Sequence, residues 1–160
     1  LHLPDYRSTE RTFQLLTQVA GRAGRSQRGG QVIVQTYSPD HYAIQAAAHH
    51  DFAGFYRQEL VYRRQLGYPP FSRLVALRFS DRDAYRCRAE AERLGRWLAA
   101  EIRRLALRAD LIGPAPCFFS RVQGRYRWQI VVRAPDPGPL LRDVALPRDW
   151  RVDVDPASLL

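Results

Sequence analysis

Between Ser8 and Val19 the apolar residues Phe13, Leu15, Leu16 and Val19 follow a Ser8 or Thr9 cap, and the spacing predicts a helix over 8–19. Glycines then punctuate the chain from Gly21 to Gly30, which reads as a turn. Gln31 to Tyr37, bounded by Ser38-Pro39, predicts a strand. Asp40 is the expected cap of a short helix reaching about His49. Asp51 is the expected cap of a second, in which Phe52, Phe55, Tyr56, Leu60 and Leu66 recur at helical spacing. That helix stops at Gly67, because Tyr68-Pro69-Pro70-Phe71 cannot continue it: proline lacks the amide hydrogen and restricts the residue before it. These elements divide the chain into residues 1–66, a proline-rich linker at 67–71 and a second domain at 72–160.

Beyond the linker the pattern changes period. Ser72 to Ser80 alternates, with Val75, Leu77 and Phe79 on one face and Leu74, Ala76 and Arg78 on the other, as in a strand. From Asp83 to about Arg108, Cys87, Ala91, Leu94, Leu98, Ile102 and Leu105 step by three or four, a helical stripe with Arg86–Glu90 and Glu92–Arg96 as expected surface pairs. Asp110 to Phe118 and Arg125 to Arg133 read as strands joined by a loop from Phe119 to Gly124. A short helix over Pro137 to Val144 and a last strand from Trp150 to Asp155 complete the domain. Strand, helix, strand, strand, helix, strand is the ferredoxin-like βαββαβ order, with both helices on one face of a four-stranded antiparallel sheet and the other face left available.

Charge adds a partner class. The formal net charge is +9 and every basic residue is arginine, since the sequence has no lysine; methionine and asparagine are absent too. The missing methionine implies that the chain starts inside a longer protein. A pI near 10.4 favours a polyanion, and nucleic acid comes ahead of membrane because no basic amphipathic helix with an exposed apolar face stands out. Without a signal peptide or a spanning apolar run, the expected compartment is the cytoplasm. Cys87, Cys117 and the four histidines match no metal-ligand spacing, so no metal site is expected in this chain.

The stretch Gln18-Val19-Ala20-Gly21-Arg22-Ala23-Gly24-Arg25 carries the most chemistry. It sets two guanidiniums three residues apart on a backbone that Gly21 and Gly24 make pliable, and guanidinium matches phosphate oxygens bidentately. The string resembles motif VI of superfamily 2 helicases, QxxGRxGR. With Leu3-Pro4-Asp5-Tyr6-Arg7, Glu10 to Leu16, Gln35-Thr36-Tyr37, Glu59 to Phe71, Gly124 to Gln129 and Trp150 to Pro156, essentially the whole chain is similar to the primosomal protein N′ (PriA) family.

That resemblance implies an α/β plus α+β protein, in which the end of a RecA-like helicase lobe precedes the ferredoxin-like domain. It implies a 3′ to 5′ ATP-dependent DNA helicase that recognises stalled replication forks and restarts replication through primosome assembly. Arg22 and Arg25 would be the arginine fingers at the γ-phosphate, and Gln18 would link the nucleotide site to the DNA-gripping elements. ATP and magnesium would be bound mainly by an absent lobe, and zinc is expected only upstream. Implied partners are forked and single-stranded DNA, single-stranded-DNA-binding protein and helicase-loading proteins. A phosphate-cradling P-loop needs lysine, so the isolated chain is expected to be inactive as an ATPase.

On the strand Arg125–Arg133, Tyr126, Trp128, Ile130 and Val132 point one way while Arg125, Arg127, Gln129 and Arg133 point the other. With Arg121 expected on the charged side, the hairpin can track a phosphate backbone while Phe118, Phe119 or Tyr126 stack on bases. The alternative is a solvated face whose arginines pair with Asp153 and Asp155. At the level of the whole chain, the alternative to a helicase fragment is a stand-alone ferredoxin-like module that docks nucleic acid or protein.

Overall fold

The computed structural model describes residues 5–23, 30–142, 144, 146–147 and 149–159. The chain divides into two compact units, Leu1–Gln65 and Leu66–Leu160.

The first unit is helical: α1 spans Ser8–Ala23, α2 Tyr42–Ala48 and α3 Phe52–Leu66. Helix α1 runs through Gly21 to Ala23, past the expected end at residue 19; the rest of the predicted turn, 24–29, lies outside the described residues. Each further residue closes another backbone hydrogen bond, enough to offset a glycine penalty of about 1 kcal/mol. The cap of α2 is His41 rather than Asp40, its Nδ1 accepting from the Ala43 amide at 3.2 Å. Asp51 caps α3 as the sequence predicts, Oδ1 accepting from the Gly54 amide at 2.8 Å. Residues 31–37, expected as a strand, pair with no neighbour among the described residues and leave Val32, Ile33 and Val34 exposed. A strand exists only as part of a ladder, and the described elements of this unit are all helices.

Phe13, Ala43, Ala47 and Phe55 form the core of this unit, the two phenyl rings stacked at 4.1 Å. Beside it, the buried Glu59 accepts from Tyr42 Oη at 2.6 Å and from Arg63 Nε at 2.7 Å, and Arg63 also reaches Glu10 at 2.9 Å.

The second unit is α+β. Its elements are β1 (Arg73–Asp81), α4 (Ala84–Arg104), β2 (Asp110–Val122), β3 (Arg125–Ala134), α5 (Gly138–Arg142) and β4 (Trp150–Val154). Helix α3 ends at Leu66, and Gly67 follows at φ +61°, a conformation glycine adopts without steric cost. The strands form one antiparallel sheet in the order β2-β3-β1-β4. Asp83 caps α4 through the Tyr85 and Arg86 amides.

The predicted stripe of α4 buries Cys87, Ala91, Leu94 and Leu98 against Val75, Leu77, Phe79, Ile130, Val132 and Trp150, with Leu140 of α5 in the same core. Each fully buried leucine there contributes about 1.5–3 kcal/mol. The surface pairs differ from those expected: Arg88–Glu92, Arg93–Glu90 and Arg104–Glu101 form, while Arg86 faces Asp81 at 3.5 Å. The Glu90 carboxylate that Arg93 binds also accepts from the Trp150 indole at 3.1 Å.

The hairpin is tighter than predicted. β2 continues to Val122, and the loop is only Gln123-Gly124, both with positive φ (49° and 76°). This is the backbone twist a two-residue hairpin requires. The sheet face away from α4 is not open at its centre, where Leu74, Ala76 and Val131 are buried. The C-terminal residues run along it: the Asp155 amide donates to the Leu74 carbonyl at 2.7 Å, and Arg78 donates to the Ser158 carbonyl at 2.9 Å.

Hydrogen bonds from Arg93, then the one from Trp150, hold the Glu90 carboxyl below its ordinary range against the opposing effect of burial. A folded value below the unfolded one, about 4.3, contributes stability present above that pH and lost as pH falls through the folded value. Glu90→Gln therefore flattens the loss of stability of this unit below about pH 4. Fluorescence reads it selectively, since all three tryptophans lie beyond Leu66. An unchanged acid slope would remove Glu90 from the account.

Candidate functional site

Gln18 and Arg22 stand one turn apart on α1, both exposed, so a single helix face presents an amide and a guanidinium together. Arg22 makes no ion pair among the described residues. Gly21 lies inside the helix with nothing within 4 Å of where a Cβ would stand, so the turn geometry expected of it is not its use here. Arg25 lies outside the described residues.

The four arginines of the β2–β3 region separate into different environments. Arg121 is the cross-strand partner of Tyr126, so it shares the face of Tyr126 rather than that of Arg125 and Arg127; its guanidinium sits 5.1 Å from the tyrosine ring centroid. The cause is a register shift between Pro116 and Arg121, which inverts the alternation that regular spacing predicts. Arg125 reaches across to β1, donating to the Ser80 carbonyl at 2.7 Å. Arg127 is half-buried and makes no ion pair among the described residues. Arg133 is committed: Nε and Nη2 bind Asp110 at 3.0 and 2.7 Å, Nη1 donates to the Leu66 carbonyl, and the guanidinium lies 5.6 Å from the Tyr68 ring centroid. It ties the start of this unit to the sheet.

The alternative pairing with the last strand takes other partners. Asp155 holds Arg73 at 2.7 Å, and Asp153 lies 3.7 Å from Arg78. Arg78 is the charged residue that sequence reasoning left unassigned. Its Nε and the Oε1 of its register partner Gln129 are both buried without a hydrogen-bond partner among the described residues. Alternation places both on the face away from α4, but only the register shows that they meet.

Burial pushes the Cys117 thiol up, against the pull of Arg127 and Arg78. Burial likewise raises Cys87. Both thiols are inert packing groups at neutral pH. A cleft of about 360 Å³ lies between α4 and the segment before β4, lined by Phe79, Arg86, Glu90, Arg93, Pro147 and Asp149. Its arginines already face Asp81 and Glu90, so it offers paired charge rather than an anion receptor. Among the described residues no cluster of His, Cys, Asp and Glu suits a metal, and no helix is long and apolar enough to cross a membrane.

The family model described as "Primosomal protein N C-terminal domain" matches residues 64–157. The chain belongs to the PriA family. It is 41% identical over 133 residues to the "Replication restart protein PriA" of Bacillus subtilis, 44% over 136 to that of Synechocystis and 43% over 145 to that of Treponema pallidum. These matches cover 83%, 84% and 91% of the chain but only 16%, 16% and 22% of the relatives, so it spans less than a quarter of the PriA proteins it resembles. Residues 64–157 accordingly correspond to the C-terminal domain of that family.

Proposed function

We propose that this chain is part of an ATP-dependent, 3′ to 5′ DNA helicase that recognises stalled replication forks in the cytoplasm, and that by itself it binds DNA without hydrolysing ATP. The observation that carries the reading is the joint presentation of Gln18 and Arg22 on an exposed helix face, in a chain of the PriA family. Guanidinium donors suit phosphate oxygens, and Arg22 with Arg25 would meet the γ-phosphate of ATP, whose hydrolysis supplies the free energy for unwinding. Magnesium and the rest of the nucleotide would be held outside this chain, which has no lysine for a P-loop. Gly21 supports an approach by another body, since it costs α1 helix propensity and nothing nearby needs its missing Cβ.

The first unit is read as the end of a RecA-like lobe, in which the exposed apolar residues Val32, Ile33 and Val34 would join a sheet completed elsewhere. The second is read as ferredoxin-like, supported by the order β2-β3-β1-β4 and the antiparallel pairing throughout. DNA would be met by Arg121 on one face of the hairpin and by Arg125 and Arg127 on the other, while Arg133 serves the fold. Single-stranded-DNA-binding protein and helicase-loading proteins are the partners the same reading implies.

The purified chain is expected to bind forked and single-stranded oligonucleotides with strong salt dependence and to show no magnesium-dependent ATPase activity. Removing one arginine that neutralises a phosphate should reduce the log–log salt slope for a single strand by about 0.7. Arg121→Ala combined with Arg127→Ala therefore flattens it by about 1.4. An unchanged slope counts against the hairpin, and ATP turnover by the chain alone would sink the division of labour.

A further inference from the structure

Two large apolar rings stand in solvent on β2. Phe118 and Phe119 are 54% and 56% exposed, yet they touch edge to face at 5.0 Å with an interplanar angle of 86°. Neighbouring side chains of a regular strand point to opposite faces, and their rings would not meet. The irregularity between Pro116 and Arg121 swings both rings to one side of the outermost strand, making a continuous aromatic edge. Arg121 follows two residues later, about 7 Å along the strand, and its guanidinium covers Tyr126. From Leu111 to Ala134 the sequence holds four arginines and no acidic residue. Arg133 is paired with Asp110, while Arg121, Arg125 and Arg127 make no ion pair among the described residues; a hydrophobic edge beside that charge suits a polyanion that carries flat apolar faces.

We propose that Phe118 and Phe119 form a stacking edge for the unpaired bases of single-stranded DNA, with Arg121 engaging the adjacent phosphate. The assignment rests on the proposal that this chain binds DNA, and it adds which residues meet the bases and why single strands are preferred. In a duplex the base faces are already stacked on one another, so the rings have nothing to receive; in a single strand each face is open. Stacking tolerates any sequence, so the preference is for strandedness rather than for a base.

The test uses fluorescence anisotropy with the whole 160-residue chain and three labelled probes: oligo(dT) of about 16 nucleotides, an abasic strand of equal length, and a duplex. Wild type is expected to bind oligo(dT) more tightly than the abasic strand. Phe118→Ala with Phe119→Ala should weaken oligo(dT) binding about tenfold, within the range for removal of base stacks. The abasic affinity and the salt slope should stay unchanged. Phe118→Trp with Phe119→Trp should retain binding, whereas leucine at both positions, apolar but without a π face, should not. Both rings are exposed, and the thermal melt checks that the fold survives. Equal weakening on the abasic strand, full retention by the leucine pair, or an alanine pair that binds oligo(dT) like wild type would overturn the stacking edge. Salt-dependent DNA binding that persists in those cases leaves the broader reading intact. If wild type binds none of the probes, the DNA-binding reading falls and the stacking edge with it.

Discussion

Replacing Arg22 by alanine in a full-length PriA that carries this chain is expected to lower DNA-stimulated ATP hydrolysis by about 10³- to 10⁵-fold, the range an arginine finger contributes to phosphoryl transfer. Nucleotide affinity should change little, because a finger acts where charge develops on the transferring group rather than on the bound ground state. Lysine should not rescue the rate: one ammonium cannot reproduce a planar fork of donors. The isolated chain should be nearly indifferent to the change. Arg22 is exposed in the last turn of α1 without an ion pair among the described residues, so the substitution removes only a helix-dipole contribution of about 0.3–1 kcal/mol. Steady-state ATPase assays with forked DNA decide the matter, and a variant within tenfold of wild type would exclude Arg22 as a finger. Gly21→Ala offers a contrast. It should stabilise α1 of the isolated chain by about 0.5–1 kcal/mol, yet reduce turnover in the full-length protein if another body approaches that backbone.

The largest effect on stability is expected at Glu59. Its carboxylate is buried, takes hydrogen bonds from Tyr42 and Arg63, and is coupled through Arg63 to Glu10. Glu59→Ala strips Tyr42 Oη of its acceptor and takes from a mostly buried guanidinium its more buried carboxylate, leaving the partly exposed Glu10. Removing one partner of a buried ion pair costs about 3–5 kcal/mol, and the residual exposure of this pair places the cost near 3. Hydrogen exchange at the amides of α2 and α3 reads this unit without interference from the other, and protection equal to wild type would contradict the prediction.

The same network predicts an alkaline limit. Burial first, then the hydrogen bond and charge of Glu59, push the Tyr42 hydroxyl well above its ordinary value. A raised folded value contributes stability that is complete below the unfolded value of about 10 and lost as pH rises past it. Tyr42→Phe should therefore remove an alkaline decline that wild type shows.

Local chemistry was enough to determine much of this protein. The α4 stripe from Cys87 to Leu98, the Asp51 cap, the halt of α3 before Gly67 and the strand-helix-strand-strand-helix-strand order all follow from local composition, from periods of 3.6 and 2 and from what proline and glycine do to a backbone. The shared face of Gln18 and Arg22 does not belong with them, since it exists only because α1 runs past its expected end at residue 19. Nor does the length of α1, because propensity at Gly21 is a weak force against one more turn of hydrogen bonds.

What the tertiary structure decided depends on partners distant in sequence. Arg133 becomes a clamp only because Asp110 is its register partner and the Leu66 carbonyl comes within reach. Leu74 and Ala76 are buried although they face away from α4, so the face that alternation alone leaves open is closed at its centre. Arg121 changes sides, and Phe118 meets Phe119, because of one irregularity opposite β3. A register shift moves every later side chain of a strand to the other face, and its position depends on pairing across the sheet rather than on the residues it displaces.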